Sequence, residues 1–375
     1  MPETTLSYSK PGTGKSRKFK QLKLTNNKTI PGYIGGKFTP VDLDSEGLPG
    51  LFYNDNTSIE YYSPKGEGEY HKGKSIQYAN EKMFSYFADL EGNGKLQLVI
   101  YGSGGNGYFE RNNDKWSGFK PFQTRITGEY KAIESVSMCG NGKKDVVLVE
   151  QNTMRIYYSD GKKGYKSSGR VSTPAGFPCK NLSRTGGYVM FSNFYGDGLM
   201  HRVRVKNGSV EVWPSLGYGK FGKKRNIKNA PVFKGTLDNA RIHFADIDGS
   251  GTQDIIYVYS DRIEVFTNQS GNSFSDPKII YLPEKYTDID QINFADILGT
   301  GTTMKHYYHN FIAKTQNQHI NNRMKPYLLN QTNNNMGAKT YIQYASSVKF
   351  YLKDKKQGNK WITKLPYPEI GRAHV

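Results

Sequence analysis

The chain has 375 residues, 36% hydrophobic and 13% aromatic, and a formal net charge of +19 at neutral pH. Its apolar runs fall well short of the roughly 20 residues that span a bilayer, and two distant cysteines, Cys139 and Cys179, make neither a disulfide framework nor a thiolate metal site. Such a charge suits nucleic acid, acidic membranes or acidic proteins, but no recognition helix or RNA-binding aromatic motif accompanies it, which argues against nucleic acid.

Residues 1–29 read as a flexible basic leader. Met1–Ser7 has no charged start followed by an apolar core, so no secretory signal is expected there. Ser9-Lys-Pro-Gly-Thr-Gly-Lys-Ser16 resembles a phosphate-binding loop without its first glycine. That chemistry needs a preceding strand and a following helix, whereas Arg17–Thr25 alternates like a strand, so nucleotide binding is not expected.

From Asp42 onward a Gly-rich acidic loop recurs six times. The clearest copy is Phe244-Ala-Asp-Ile-Asp-Gly-Ser-Gly-Thr-Gln-Asp-Ile-Ile256. Aligned on Asp246, the anchors are Asp42, Asp89, Ser137, Asn193, Asp246 and Asp296, spaced by 47, 48, 56, 53 and 50 residues. A period near fifty, one supersecondary unit per repeat, marks a propeller or solenoid. Each loop leads into a β-rich run, a tight turn and a second run, as in Asp254–Tyr259 and Arg262–Phe266, or Asp145–Glu150 and Met154–Tyr157. In the fourth copy Arg202–Val205 meets Asn207-Gly208, a hairpin signal because both residues tolerate positive φ. Tyr70, Tyr165, Phe221 and Phe274 each lie 28 residues after their anchor, and Trp116 lies 27 after Asp89. An aromatic at a fixed offset predicts a wedge that packs one repeat on the next. The expected fold is all-β, a six-bladed β-propeller over residues 30–315.

Asp246, Asp248, Ser250, Thr252 and Asp254 have the spacing of a calcium loop. Oxygen donors would come from the first, third and fifth positions, a backbone carbonyl from the seventh and a carboxylate from the ninth. The competing reading is a turn closed by side-chain-to-backbone bonds. The other copies are poorer: Asp42 and Asp44 are followed by Gly50, Asp89 and Glu91 by Gln97, and the loop at Asp296 lacks its second acid. Calcium is the one cofactor suggested, as a stiffener of the scaffold. Glu67-Gly-Glu69 is similar to the paired acids of ADP-ribosylating toxins but has no nicotinamide-binding context, and His306-x-x-His309 lacks a third ligand. No catalytic constellation can be assigned, so an enzyme is not expected.

Beyond the repeats, Asn317–Asn335 is rich in Asn and Gln, and Thr340–Tyr344 alternates as a strand. Ser347–Leu352 reads as a second strand, Lys353–Gly358 as a turn, and Trp361–Pro366 follows. Two strands bury no core of their own, so residues 316–368 are expected to begin a truncated second domain. Glu369–Val375 breaks the pattern abruptly, resembles an in-frame sequencing adapter and is expected to be a non-native tail.

Phe87–Gly94 and Phe244–Gly251 resemble FG-GAP/VCBS propeller repeats. Asp44-Ser-Glu-Gly-Leu-Pro-Gly50, Asn268–Pro277 and Phe294–Thr302 are similar to stretches of the B subunits of bacterial insecticidal Tc toxin complexes. Lys325-Pro-Tyr-Leu-Leu329, Asn334-Asn-Met-Gly337, Tyr344-Ala-Ser-Ser347 and Trp361–Pro368 are its most specific part, and the resemblance covers about residues 35–368. It implies a non-enzymatic propeller that docks on the channel-forming A subunit. The rest of B would join the Rhs-type C subunit in a hollow shell around the toxic tail of C, with the propeller as its gate. The first strands of that shell would follow the propeller. The implied setting is a secreted or extracellular toxin complex, cytoplasmic before release, with no nucleic acid and no direct membrane insertion.

Two alternatives stay open. SpvB-like virulence toxins share this upstream region but end in an ADP-ribosyltransferase, which would lie outside these residues. A secreted calcium-dependent adhesion propeller would lose binding in chelator. The sequence departs from the Tc pattern at residues 303–323, which fit the sixth repeat poorly, and the family's long region before the propeller is not matched.

Overall fold

The computed structural model describes residues 2–10, 20–25, 37–54, 58–73, 75–77, 83–102, 105–112, 115–124, 126, 133–150, 152–179, 186–282, 285–287, 291–299, 304–309, 314–318 and 325–359. Each repeat folds into an antiparallel sheet whose consecutive strands are neighbours. Blade 1 comprises Lys37–Val41, Gly50–Asn54, Ser58–Gly66 and Glu69–Lys72, and blade 2 Met83–Ala88, Gln97–Gly102, Gly105–Phe109 and Lys120–Pro121. Ile133–Val136, Asp145–Glu150, Thr153–Ser159 and Tyr165–Ser172 form blade 3. Tyr188–Ser192, His201–Lys206, Ser209–Trp213 and Arg225–Asn226 form blade 4. Blade 5 is Ile242–Ala245, Asp254–Val258, Arg262–Phe266 and Lys278–Tyr281.

Blade 6 takes three strands from its own repeat, Gln291–Ala295, Met304–His309 and Lys314–Gln318, and its fourth from the other end of the chain, Lys20–Gln21. The register pairs Lys20 with Asn317 and Gln21 with Gln316. Residues 303–323, expected to fit this repeat poorly, therefore contribute two of its strands. The expected leader 1–29 is likewise more than a flexible arm. Lys23–Leu24 pairs parallel with Glu69–Lys72, and Thr5–Tyr8 pairs with Leu329–Asn333. Leu22 between them is fully buried with Phe38, Leu51, Tyr62 and Tyr70.

The chain divides into two compact units: residues 1–78 and 286–375 with the loop 246–250, and residues 79–245 with 251–285. In the first, blades 1 and 6 meet where the Gln291 side chain accepts from the Phe38 N–H at 2.9 Å and donates to the Phe38 carbonyl at 2.7 Å. The second holds blades 2 to 5. Second strands such as Asp145–Glu150 and Asp254–Val258 are buried almost throughout. That is why they read as continuous apolar runs instead of alternating ones.

Tyr70, Tyr165, Phe221 and Phe274 pack as the expected wedges, whereas Trp116 lies on a separate two-stranded hairpin, Lys115–Trp116 paired with Arg111–Asn112. Tyr165 of blade 3 touches blade 2, its hydroxyl 2.6 Å from that of Tyr86 and its ring edge-on to Phe122. Phe274 of blade 5 meets Phe194 of the fourth repeat loop edge-on at 6.0 Å. Phe221 of blade 4 packs on Phe177 at 4.9 Å, in a cluster with Val147, Met154 and Ile156 of blade 3. Tyr70 joins the blade 1 cluster that contains Ile297 of the sixth loop.

After the blades, Thr5–Tyr8, Leu329–Asn333 and Lys339–Tyr341 form a three-stranded sheet, so the expected strand near Thr340–Tyr344 is present but shorter. Ser347–Leu352, read as a strand, and Lys353–Gly358, read as a turn, are instead one helix, Ser347–Gln357. Ser346 caps it by accepting from the Val348 N–H, and Gly358 ends it at φ 80°. Val348 is buried against Gly299, and the Ser346 hydroxyl donates to the Gly299 carbonyl. A run of one β-branched and two aromatic residues suggested a strand, but local caps and the docking face prevailed. Among the described residues no helix is long and apolar enough to cross a membrane. Trp361–Pro368 and the suspected tail lie outside the described residues.

Truncating the fully buried Leu22 to Ala should cost about 3 kcal/mol in denaturant unfolding. A surface leader would show almost no change.

Candidate functional site

The repeat loops share one problem. Each reverses the chain tightly and leaves several backbone N–H groups without a main-chain partner. Side chains at up to two positions per loop answer it, although the Ser137 hydroxyl of the third loop makes no hydrogen bond. The anchor caps the turn: Asp89 accepts from the amides of Glu91, Gly92, Asn93 and Gly94. Asp42 accepts from Glu46 and Gly47, Asn193 from Gly198, and Asp246 from Ser250 at 3.0 Å.

The second side chain lies eight residues on, at the start of the second strand, and is a buried polar group in four copies: Gln97, Asp145, His201 and Asp254. Gln97 Oε1 accepts from the Leu90 N–H at 2.9 Å. Asp145 accepts from the Met138 N–H and, fourteen residues ahead, from the Ser159 N–H, both at 2.9 Å. His201 Nδ1 accepts from Ser215 at 2.9 Å and Asp254 Oδ1 from Asn268 at 2.8 Å, the same fourteen-residue reach. The Nδ1 acceptor fixes the tautomer, so Nε2–H donates to Asp197 at 2.9 Å. Burial lowers the His201 pKa against the opposing pull of Asp197.

The first copy has Gly50 at this position, and its missing acceptor is replaced from elsewhere. The Tyr61 hydroxyl occupies the space, where any Cβ on Gly50 would collide with it. It accepts from the Leu43 N–H at 3.2 Å and donates to the Val41 carbonyl at 3.1 Å. The departures from calcium spacing in these copies thus leave a backbone function intact. Between the two tethers, Leu43, Leu90, Met138, Phe194, Ile247 and Ile297, each one residue after its anchor, are all buried.

In the fifth copy the Asp246, Asp248 and Asp254 carboxylates lie within 4.8 Å of one another, as the spacing predicts. Ser250 is exposed, and its N–H donates to both Asp246 and Asp248 at 3.0 Å. Thr252 is buried and its hydroxyl donates to the Asn268 carbonyl at 3.1 Å, so its side chain serves the blade. Three carboxylates at this separation suit one hard cation, which would relieve their repulsion.

Asn268 is the hub of this loop. Its N–H binds Asp254, its side-chain amide donates to the Phe194 carbonyl at 2.8 Å and its Oδ1 accepts from Gly271 at 2.7 Å. The hub therefore joins blade 5 to the loop of blade 4.

Sequence reasoning missed a buried ion pair between blades 3 and 4. Arg202 is fully buried, and Nη1 donates to both Glu134 oxygens at 2.8 and 2.9 Å. Nε and Nη2 donate to the Pro178 carbonyl at 3.0 and 2.9 Å, and the guanidinium lies 4.4 Å from the Phe191 ring centroid. Burial pulls its pKa down and Glu134 opposes the shift. Its strand, His201–Lys206, also carries Arg204 and Lys206, so spacing alone did not single out Arg202. Next to it, burial would raise the Glu211 carboxyl, but hydrogen bonds from Arg204 and Lys224 outweigh it and hold the group at about 2.

The remaining flagged residues lie elsewhere in the chain. Glu67 and Glu69 are exposed at a hairpin turn where Gly66, Glu67 and Gly68 all have positive φ. His306 and His309 lie on the strand Met304–His309. Residues 11–19 of the phosphate-loop-like segment are outside the described residues, and the Ser9 hydroxyl donates to the Lys325 carbonyl. Cys139 and Cys179 are free thiols whose pKa burial raises.

His243, on the first strand of blade 5, has its pKa pushed down to about 4 by burial. Its neutral form stabilises the fold fully above the ordinary value of 6.5, and that stability is lost as pH falls toward 4. His243→Gln should therefore flatten the acid limb of a stability-against-pH curve in that window, by about 3 kcal/mol at most. Asn268→Ala, leaving buried groups unpaired, should cost about 2–4 kcal/mol in denaturant unfolding.

Residues 282–371 match the family model of the insecticide toxin TcdB middle/N-terminal region. A search of the curated proteins finds no match. Among solved structures, the Tc holotoxin pore of Photorhabdus luminescens, a TccC3 mutant, matches with TM-score 0.81 and 28% identity over 98% of this chain and 18% of that one. The complex of TcdB2, TccC3 and Cdc42 matches with TM-score 0.68 and 25% identity over the same shares, 98% and 18%. An Agrocybe aegerita lectin that recognises non-reducing terminal N-acetylglucosamine is alike in fold alone, at TM-score 0.54 and 15% identity over 76% of this chain and 78% of the lectin. The chain thus spans about a fifth of the toxin chains it matches.

Proposed function

Starting from a Tc toxin B-subunit-like fragment, all-β with six propeller blades, we propose that this chain is the docking and gating module of such a subunit. Its blades dock on a channel-forming A subunit, and the residues after them begin the shell that B builds with an Rhs-type C subunit. The propeller then controls release of the toxic payload from that shell. Binding carries this role, with no catalytic step in the chain. The observation that carries the reading is a match to a Tc holotoxin pore along 98% of the chain, reinforced by the family match at residues 282–371. The assembly acts outside the producing cell.

The physical character of the blades supports it. Docking under load needs a scaffold that does not deform. The buried loop tethers, the aromatic wedges and the Arg202–Glu134 pair provide one. Calcium at Asp246, Asp248 and Asp254 would stiffen the fifth loop further without taking part in chemistry.

The intact B–C assembly containing this chain should bind an A-type channel in biolayer interferometry, and failure to bind overturns the docking role. Millimolar calcium should raise the Tm by a few degrees, as expected when a ligand at about 100 times its Kd adds roughly 2.7 kcal/mol. Asp248→Asn should abolish that gain, and an unchanged Tm in wild type excludes the cation.

A further inference from the structure

Blades 4 and 5 carry the same loop on the same scaffold, with different tips. Ser215 bridges Phe221 as Asn268 bridges Phe274. The Leu216 N–H donates to the Lys220 carbonyl at 2.8 Å, and its counterpart Gln269 to Ser273 at 2.9 Å. Gly222 donates to Pro214 at 2.8 Å as Ser275 does to Thr267 at 2.9 Å. Every equivalence is offset by 53 residues, the spacing of the two anchors.

The tips differ in chemistry. Blade 5 presents exposed Gln269 and Ser270, then Gly271 at φ 77°. Blade 4 presents Leu216 and Tyr218, 65% and 70% exposed. Tyr218 stands at the position of Gly271 and holds φ 49°, a conformation that is strained for a bulky residue. Blade 5 shows that the loop closes without either apolar side chain. Blade 4 therefore carries two costs, backbone strain and bare apolar surface, that its fold does not require.

The tip is also rigid. The Tyr218 N–H donates to the Met138 carbonyl at 3.0 Å, and its own carbonyl accepts from the Tyr158 hydroxyl at 3.3 Å. Gly219 lies so close to Ile156 that no side chain fits there. Lys220 and Lys223, both exposed, flank the tip. The neighbouring acid, Glu211, is already held by Arg204 and Lys224. A fixed aromatic and aliphatic knob with a cationic rim has the form of an interface anchor.

We propose that the Leu216–Lys220 tip is a docking knob that inserts into an apolar socket rimmed by carboxylates on the A-type channel. The acidic character of the socket follows from charge complementarity to the Lys220 and Lys223 rim and to the net charge of +19. The assignment of the socket to the channel rests on the docking role proposed above.

The test uses the intact B–C assembly and the A-type channel in biolayer interferometry at two salt concentrations. Leu216→Gln with Tyr218→Gly copies the blade 5 tip, so it should fold with an unchanged or higher Tm while binding weakens by about 10- to 100-fold. Lys220→Glu with Lys223→Glu should slow association by about 10-fold, and more at low salt than at high salt. Unchanged binding by both variants, with wild type binding normally, overturns the knob and leaves the docking role standing. Failure of wild type to bind overturns both. Phosphatidylserine vesicles serve as the control: knob-dependent vesicle binding with unaltered channel binding would reassign the surface to membranes and overturn the proposal.

Discussion

A buried acceptor at the start of the second strand in blades 2 to 5 is the constraint on which the rest depends. The repeat loop turns too tightly to satisfy all its own N–H groups, and an orphaned buried amide costs on the order of 1–3 kcal/mol. Gln97, Asp145 and, where Gly50 cannot, Tyr61 accept from the amide after the anchor, while His201 and Asp254 accept from an amide fourteen residues on, as Asp145 also does. Three residue types, Gln, Asp and His, and one Tyr from a different strand serve as these acceptors. What the repeats preserve is therefore a buried acceptor for a backbone amide, with the residue free to vary. Carboxylates are one solution among several, and the clustering of three in the fifth loop is an addition to that shared function.

The tether has a consequence for packing between blades. Because the loop is pinned, the residue after the anchor is delivered to a fixed position, and in every copy it is apolar and buried. Phe194 contributes to the cluster of blade 5, and Met138 to a cluster that contains Trp213 of blade 4. The wedge aromatics Tyr165, Phe221 and Phe274 pack from the other side of the seams within blades 2 to 5. The Arg202–Glu134 pair is the polar exception. Such a buried pair adds little to stability over an apolar one, but it strongly disfavours any displacement of blade 4 against blade 3 that would separate the charges.

Much of this was legible in the sequence. The anchors, the strand pairs after Asp145 and Asp254, and the wedges Tyr165, Phe221 and Phe274 follow from spacing and composition alone, because repeat physics is local. The role of the residue eight after the anchor was visible only as an irregular calcium pattern, since Gln, His and Asp look unrelated until the amides they bind are seen. The Gly50–Tyr61 exchange and the Arg202 pair depend on contacts between strands and on tertiary geometry that spacing does not encode. Ser347–Gln357 was misread because its Val and aromatic residues favour a strand, and its cap at Ser346 is a single hydroxyl. The leader was misread for a related reason: the short strands Lys20–Gln21 and Lys23–Leu24 acquire their structure from partners near residues 69 and 316.

The pairing of Lys20–Gln21 with Gln316–Asn317 also bears on the order of events during synthesis. Lys20–Gln21 must wait for nearly three hundred residues to follow before its partner strand exists. Blades 2 to 5, built from contiguous stretches, are able to assemble as they emerge, whereas the sixth sheet completes only after translation has passed its third strand. The long loop that this pairing closes makes it a late and slow step. Until then the edge strand Lys314–Gln318 has no neighbour on that side, and it is the place where a chaperone would be needed most or where a second nascent chain would pair in error.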